Sequence, residues 1–305
     1  MTEHVQTLLD AVALGSIYGL MAIGIGLVFG VLRLVNFAYG QLVMAGAYAL
    51  ALTQDVSVVL SIALCFAVVL ALSLAMELAA FRPLRNASPT TMLVATFAIS
   101  YLLQSIALVR FGAIGKILVV IPQLTKPLTI GSLHVRWITI VTILVAAGVF
   151  AALTLFLTRT SIGLQMRAAS IDSETARLLG VRANAVITVA VLISGAIAAL
   201  VAVILPMAVP ERILVTPDYA LRETIIVLVG VVVGGIDRLL TATLGGFTMG
   251  FLVGALSGFL PSSGSWPFTS SVYLDSAVFM LVIVVLLLRP EGLFTRSRRS
   301  VVDRV

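Results

Sequence analysis

Charge is the scarcest commodity in this sequence. Only 10% of its 305 residues are Asp, Glu, Lys or Arg, against 61% apolar, and the mean hydropathy is +1.19. A soluble domain carries about 25% charged residues, and these few polar side chains could not cover the surface of a soluble protein of this size. The composition therefore excludes a soluble globular fold and places the chain in a membrane. Cysteine is limited to Cys65, which excludes an intrachain disulfide and a thiolate metal cluster. His4 and His134 are the only histidines, too few for a usual zinc set. Ser and Thr are plentiful but have no histidine base at an interpretable position. No GxxxxGK[ST] phosphate loop occurs, so the chain is not expected to hydrolyse ATP or to hold a cofactor itself. The opening MTEHVQTLLD lacks the basic n-region of a secretory signal, so the first apolar run is expected to stay as a membrane helix.

What the sequence does have is long apolar runs. A hydrocarbon core about 30 Å thick needs about 20 helical residues. Runs of that kind fall at 11–32, 35–53, 57–79, 90–111, 138–158, 185–206, 220–235, 241–260 and 271–288. The expected fold class is an all-α integral membrane protein, a polytopic bundle of about eight or nine transmembrane helices. The runs are too long and too apolar for the alternating strands of a membrane barrel. Segments 35–53 and 220–235 are the weakest spans and read as tilted, broken or re-entrant helices buried by their neighbours.

The net charge of +6 and pI near 10 do not point to nucleic acid, because the basic residues form no face or stripe. They sit in short connections and at the C-terminus. With the N-terminus outside and nine crossings, Arg33, Arg82, Arg85, Arg159, Arg167, Arg177, Arg182, Arg238 and the C-terminal arginines fall inside. Arg110, Lys116, Lys126, Arg136, Arg212 and Arg222 fall outside. This bias predicts a cytoplasmic C-terminus.

Two connections are longer than turns. Residues 112–137 alternate apolar and turn residues, which predicts short strands or a hairpin outside. Residues 159–184 predict a short helix capped by Ser173 or Asp172 and ended by Gly180, with Leu178 and Leu179 as an apolar patch. This basic-side segment serves either to meet a cytoplasmic partner or to lie on the membrane surface. The stretches 11–50 and 220–260 are both rich in glycine but align too poorly to assert a repeat.

Gly246, Gly250, Gly254 and Gly258 recur every fourth residue, as do Gly15/Gly19 and Gly26/Gly30. On a helix such a face admits another backbone, either as packing or along a solute path. Asn36, Gln41, Gln104 and Ser194 are polar groups in or beside apolar runs, which bind a polar solute or tie helices together. Asn36, Gln41 and Gln104 are the candidates for a substrate path. Glu77 is positioned to pair with Arg82, and Arg222 with Glu223. Pro206 and Pro210 end a span. Trp137 and Trp266 read as interface anchors, and Tyr39 and Tyr273 as anchors or cavity-lining residues. Asp275 reads as solvent-exposed at the outer end of the last span. A membrane enzyme would need clustered His or carboxylates at one depth, and the sequence offers no such cluster.

Three stretches, in order, carry a family resemblance: LGSIYGLMAIGIGLVFGVLRLVNFAYGQLVMAGAY at 14–48, RAASIDSETARLLGVRANAVITVAVLISGAIAAL at 167–200, and LGGFTMGFLVGALSG at 244–258 followed by LLLRPEGLF at 286–294. With these, nearly the whole chain resembles the permease subunits of branched-chain amino-acid ABC transporters, of the leucine/isoleucine/valine type. The resemblance implies one transmembrane permease domain over 1–305 in a bacterial inner membrane. It implies a second homologous permease subunit, two cytoplasmic ATPases that use ATP, an extracytoplasmic solute-binding protein and surrounding lipid as partners. It makes 159–184 a cytoplasmic coupling segment in which Arg167, Glu174, Arg177 and Gly180 match the family pattern and receive ATPase movement. Asn36 and Gly40 match an NFAHG-like stretch, while Tyr39 stands where relatives often have His and Val253 where they often have Glu. The implied cargo is a branched-chain amino acid, with urea or a short amide as the alternative.

Overall fold

A computed structural model describes residues 2–259, apart from 33–34, 86, 120, 122–123, 125–126, 131–132, 172, 210–212 and 236–238, together with 276–280, 283 and 287. Helix α1 spans Thr2–Leu32, α2 Tyr39–Leu52 and α3 Val58–Met76; α3 runs through a π-helical turn, Glu77–Phe81, into α4, Arg82–Leu84. Then come α5 Pro89–Phe111, α6 Trp137–Arg159, α7 Ser161–Ile171, α8 Ser173–Leu178, α9 Ala183–Ala208, α10 Leu221–Gly234 and α11 Leu239–Phe259. Among the described residues, six helices are long and apolar enough to cross a membrane. The span expected at 271–288 lies largely outside the described residues, as do Pro210, Arg212, Arg238, Trp266, Tyr273 and Asp275.

Local chemistry sets the helix ends. Ser88 accepts from the Thr91 amide at 3.2 Å and Pro89 stands at the first helical position, together starting α5. Gly112, Gly180 and Gly235 end helices with φ of +81°, +89° and +104°, a region that a side chain makes costly. Pro206 lies inside the last turn of α9 rather than beyond it. Helix α1 begins nine residues before the run read from the sequence, so the polar opening segment continues the same helix.

The connection after α5 contains the expected hairpin: β2 (Pro127–Ile130) pairs antiparallel with β3 (Leu133–Arg136). A second pairing was not foreseen. Strand β1 (Lys116–Ile117) joins β4 (Leu214–Val215), a partner almost a hundred residues away that no local signal specifies. The Gln54 amide donates to the Ile117 carbonyl at 2.8 Å, fixing this element over the end of α2.

The core is built on glycine. A methyl group on Gly250 would lie 2.7 Å from the Leu14 carbonyl oxygen and 2.8 Å from the Gly15 Cα. One on Gly254 would lie 2.7 Å from the Ala11 Cα, and methyls on Gly246 and Gly258 would collide with Ala22 and Thr7. The face read from the sequence is therefore an antiparallel seam of α11 against α1, closer than larger side chains allow. Gly245 extends it sideways, meeting Gly230 and Gly234 of α10. At the other side of α1 lies α9, whose Ser194 hydroxyl donates to the Gly24 carbonyl at 2.8 Å. The same helix accepts the Ser73 hydroxyl on its Val191 carbonyl at 3.0 Å and meets Gly46 of α2 through Ala202. Helix α9 thus touches α1, α2 and α3 at once.

The two weakest spans are helices of 14 residues each, about 21 Å long at 1.5 Å per residue and too short for a core about 30 Å thick. They start side by side inside the protein: a methyl on Gly40 would lie 2.8 Å from the Ala220 carbonyl oxygen. From there α2 runs toward the β1–β4 element. Helix α10 runs the other way, toward the start of α11, where Gly234 meets Thr241.

Overpacking this seam has a defined outcome. Gly250→Leu should lower stability by about 1–3 kcal/mol or prevent assembly. Gly30→Ala, on the same α1 but with nothing within 4 Å of its added methyl, should be neutral or stabilising by up to about 1 kcal/mol. Thermal unfolding of the detergent-solubilised variants distinguishes the two.

Candidate functional site

The three polar residues proposed for a substrate path take different roles. Asn36 is buried in the connection before α2, and its Oδ1 accepts from the Ala38 amide at 3.0 Å. Its carbonyl accepts from the Tyr39 amide at 3.4 Å. Asn36 therefore shapes the turn into α2, and this turn already engages its carboxamide oxygen.

Gln41, on the first turn of α2, is 0% exposed, and neither its Oε1 nor its Nε2 finds a hydrogen-bond partner among the described residues. Two turns further along the same face, the Tyr48 hydroxyl is likewise buried and unpartnered. An unsatisfied buried polar group costs about 1–3 kcal/mol. Gln41 and Tyr48 thus present unpaired polar groups along one face of α2. Helix α5 lies alongside and runs in the same direction. Phe97 meets Phe37 edge-on with centroids 5.1 Å apart, and Phe111 stacks on Tyr48 at 4.4 Å. Gln104, half-buried, lies midway in sequence between Phe97 and Phe111, which make those two contacts. Gln41 and Gln104 thus lie on the neighbouring helices α2 and α5, while Asn36 lies in the turn before α2. Tyr48 was not foreseen, although its spacing of seven from Gln41 was a readable signal.

The entry to α10 mirrors that to α2. Tyr39 and Gln41 donate backbone N–H groups to the carbonyls of Asn36 and Ala38; Tyr219 and Leu221 donate to Thr216 and Asp218. Tyr39 and Tyr219 are both fully buried. Tyr39 is thus neither an interface anchor nor a wall of open space, since its hydroxyl rests against Gly24. This matching pair of turns, leading to oppositely directed short helices, relates the two glycine-rich stretches that sequence alignment leaves unconnected. Paired short helices beginning inside the bilayer are the architecture transporters use at a substrate site.

The second candidate surface is at the other end of the bundle. Thr160 turns the chain out of α6, its hydroxyl accepting from the Gly163 amide at 3.0 Å. Met166, Ala169 and Ala176 face inward along α7 and α8. Arg167 is exposed, and Glu174 and Arg177 lie three residues apart on α8. After α8 the Val181 amide bonds back to the Ala176 carbonyl at 3.0 Å, the closure characteristic of a helix ending on a left-handed glycine, here Gly180. Leu178 and Leu179 are 88% and 80% exposed on this tip. A concavity of about 570 Å³ opens at Arg182, Ala183, Asn184 and Ala185, just after Gly180 in the chain. Asp172, one of the two proposed caps, lies outside the described residues.

Glu77 corrects one expectation. Its partner is Arg85, not Arg82: Arg85 Nη2 forms an ion pair with Glu77 Oε1, and Arg85 Nη1 donates to Asn184 Oδ1. Arg82, which follows the π-helical turn directly, is exposed. Arg222 is half-buried and Glu223 buried on the first turn of α10.

An apolar cleft of about 390 Å³ between α1, α6 and α11 contributes nothing to this chemistry. Its two hydroxyls, Ser16 and Thr243, already donate to the Val12 and Leu239 carbonyls of their own helices, so a polar solute finds no free donor there. Among the described residues, no group of His, Cys, Asp and Glu is arranged to hold a metal.

Comparison with known proteins agrees with this geometry. Residues 7–288 match the family described as branched-chain amino acid transport system, permease component. The chain is similar to the high-affinity branched-chain amino acid transport system permease protein BraD of Pseudomonas aeruginosa, with 30% identity over 96% of both chains. It is similar also to the permease protein LivH of Escherichia coli K12, 28% identical over 95% of both chains. A probable branched-chain amino acid transport permease, LivH of Methanocaldococcus jannaschii, is 26% identical over 93% of this chain and 90% of its own.

The contrast between Asn36 and Gln41 is measurable as stability. Asn36→Ala should cost about 1 kcal/mol through loss of its turn bond, whereas Gln41→Leu should leave the unfolding midpoint unchanged or raise it. A large loss in Gln41→Leu would mean that its carboxamide is satisfied in the folded protein.

Proposed function

This chain belongs to the branched-chain amino acid transport system permease family and is a multi-pass membrane protein; from that premise we propose that it is the membrane subunit of an ATP-driven importer of branched-chain amino acids. The observation that carries the proposal is the opposed pair of short helices, α2 and α10, starting side by side within the bundle. Helices that stop halfway leave backbone and polar side chains at membrane depth, which is tolerated only where protein or a solute path surrounds them.

In this reading the chain sits in a bacterial inner membrane beside a second homologous permease. A solute-binding protein delivers cargo on the side of the β1–β4 element. Two separate ATPases dock on the opposite side, over residues 159–184. Gln41 and Gln104, together with Tyr48, line the route between α2 and α5 and offer transient hydrogen bonds to the amino and carboxylate groups of a passing amino acid. Asn36 holds the turn on which that route depends. Leu178 and Leu179 insert into the ATPase surface, Arg167, Glu174 and Arg177 orient it, and Gly180 lets the tip fold back. Closure of the ATPases on ATP moves α8 and, through the Gly180 turn, the base of α9. Because α9 touches α1, α2 and α3, its displacement reaches the route directly. ATP hydrolysis resets the cycle. The chain needs no cofactor of its own in this scheme, and selectivity resides largely in the binding protein.

Uptake of labelled leucine and labelled urea by proteoliposomes tests the proposal, using the chain with the permease, ATPases and binding protein encoded beside it. ATP-dependent leucine uptake is expected, reduced several-fold by Gln41→Leu without loss of stability, and reduced without loss of membrane insertion by Glu174→Ala or Gly180→Val. Uptake of urea alone would overturn the cargo.

A further inference from the structure

The contacts between α3 and α9 form a ladder with unlike rungs. Toward the β1–β4 end the two helices are fixed by close packing: Cys65 Sγ lies 3.9 Å from the Ala199 carbonyl, and the Ser73 hydroxyl donates to the Val191 carbonyl at 3.0 Å. A methyl on Gly195 would lie 2.6 Å from that same Ser73 hydroxyl. The last rung is of another kind. Arg85 spans from Glu77 to Asn184, residues on different helices, with its side chain 8% and that of Glu77 1% exposed. Glu77 opens the π-helical turn of α3, and Asn184 stands on the first turn of α9, four residues after Gly180.

Three physical features meet here. A π-helical turn is a wide, strained piece of helix that is found where movement or function requires it. A buried ion pair is weak evidence for stability, since an apolar pair of similar volume often serves as well. Moreover, the second oxygen of Glu77, Oε2, has no hydrogen-bond partner among the described residues despite its burial. Simple stabilisation of the helix pair accounts for none of these. An arginine anchored on both helices, however, transmits a pull without requiring that the two surfaces interlock.

We propose that Arg85 is a positioning residue that ties the π turn of α3 to the base of α9, so that displacement of the coupling segment moves both helices as one body. The proposal rests on the importer reading and adds to it the point at which movement enters the second helix. With the tie intact, a shift at Gly180 draws Asn184, Arg85 and Glu77 together, and the π turn absorbs the change in helix length. Without it, α9 moves alone and ATP hydrolysis runs with little solute passage.

Asn184 gives the cleanest test because its side chain is exposed, so its substitution leaves the fold intact. In the reconstituted full complex, Asn184→Ala should lower the number of solute molecules carried per ATP by about fivefold or more, the scale of an ordinary coupling energy. Asn184→Asp, whose carboxylate still accepts from Arg85, should keep the wild-type ratio, and Arg85→Gln should match Asn184→Ala. Equal ratios in wild type and Asn184→Ala, or equal losses in Asn184→Ala and Asn184→Asp, would overturn the tie. A second readout does not depend on the cargo: ATP should change amide exchange of residues 70–81 in wild type and in Asn184→Asp but not in Asn184→Ala. A wild-type complex that moves neither leucine nor urea would refute the importer reading alone, and the exchange pattern would still decide the tie.

Discussion

At four successive turns of α11 there is no room for a methyl group against α1. This closeness cannot come from hydrophobic burial, because lipid is as apolar as the helix surface; it comes from dispersion contact between backbones, which only small residues permit. The remaining architecture depends on it. With α11 against one flank of α1 and α9 against another, α1 becomes a fixed post. Gly230 and Gly234 bind α10 to the same unit through Gly245, which lets a helix too short to cross the membrane remain in place.

A rigid unit on one side of the bundle gives the other side something to move against. Helix α9 carries the contacts that matter for motion, since it leads directly out of the segment 159–184 and touches three helices. Its bonds to them are mostly single hydroxyl-to-carbonyl contacts, Ser194 to Gly24 and Ser73 to Val191. Each of these contributes modestly, while close packing at Gly195 and Ala202 holds the middle of α9, so the displacement is that of its base. The stripe of Gln41 and Tyr48 lies next to this movable region, on a helix that α9 contacts through Ala202 and Gly46.

Much of this was legible in the sequence, for reasons that vary by feature. The long spans follow from apolar length. The glycine face was visible as a period of four, though not its partner, because α1 is some 230 residues distant and carries no matching signal beyond its own small residues. Segments 35–53 and 220–235 were recognisable as weak spans from their polar openings, NFAYGQ and the Arg222–Glu223 pair. That they begin next to one another is a tertiary fact. Gly180 was readable as a helix end because only a left-handed position there calls for glycine. The pairing of β1 with β4 and the bridge from Glu77 through Arg85 to Asn184 were not legible. Two-residue strands have no period, and a hydrogen bond from Arg85 to Asn184, 99 residues away, is invisible to local spacing, which directed Glu77 to Arg82 instead of Arg85.

The central claim is that nucleotide moves the base of α9 against a unit of α1 and α11 that does not itself deform. Spin labels at Ala185 and Leu240, exposed positions on the first turns of α9 and α11, report the moving distance. A second pair at Leu8 and Leu240, also exposed, reports the length of the glycine seam. In the reconstituted complex, ATP binding should shift the distance from 185 to 240 and leave that from 8 to 240 unchanged. A change in the seam with none between α9 and α11 would contradict the account.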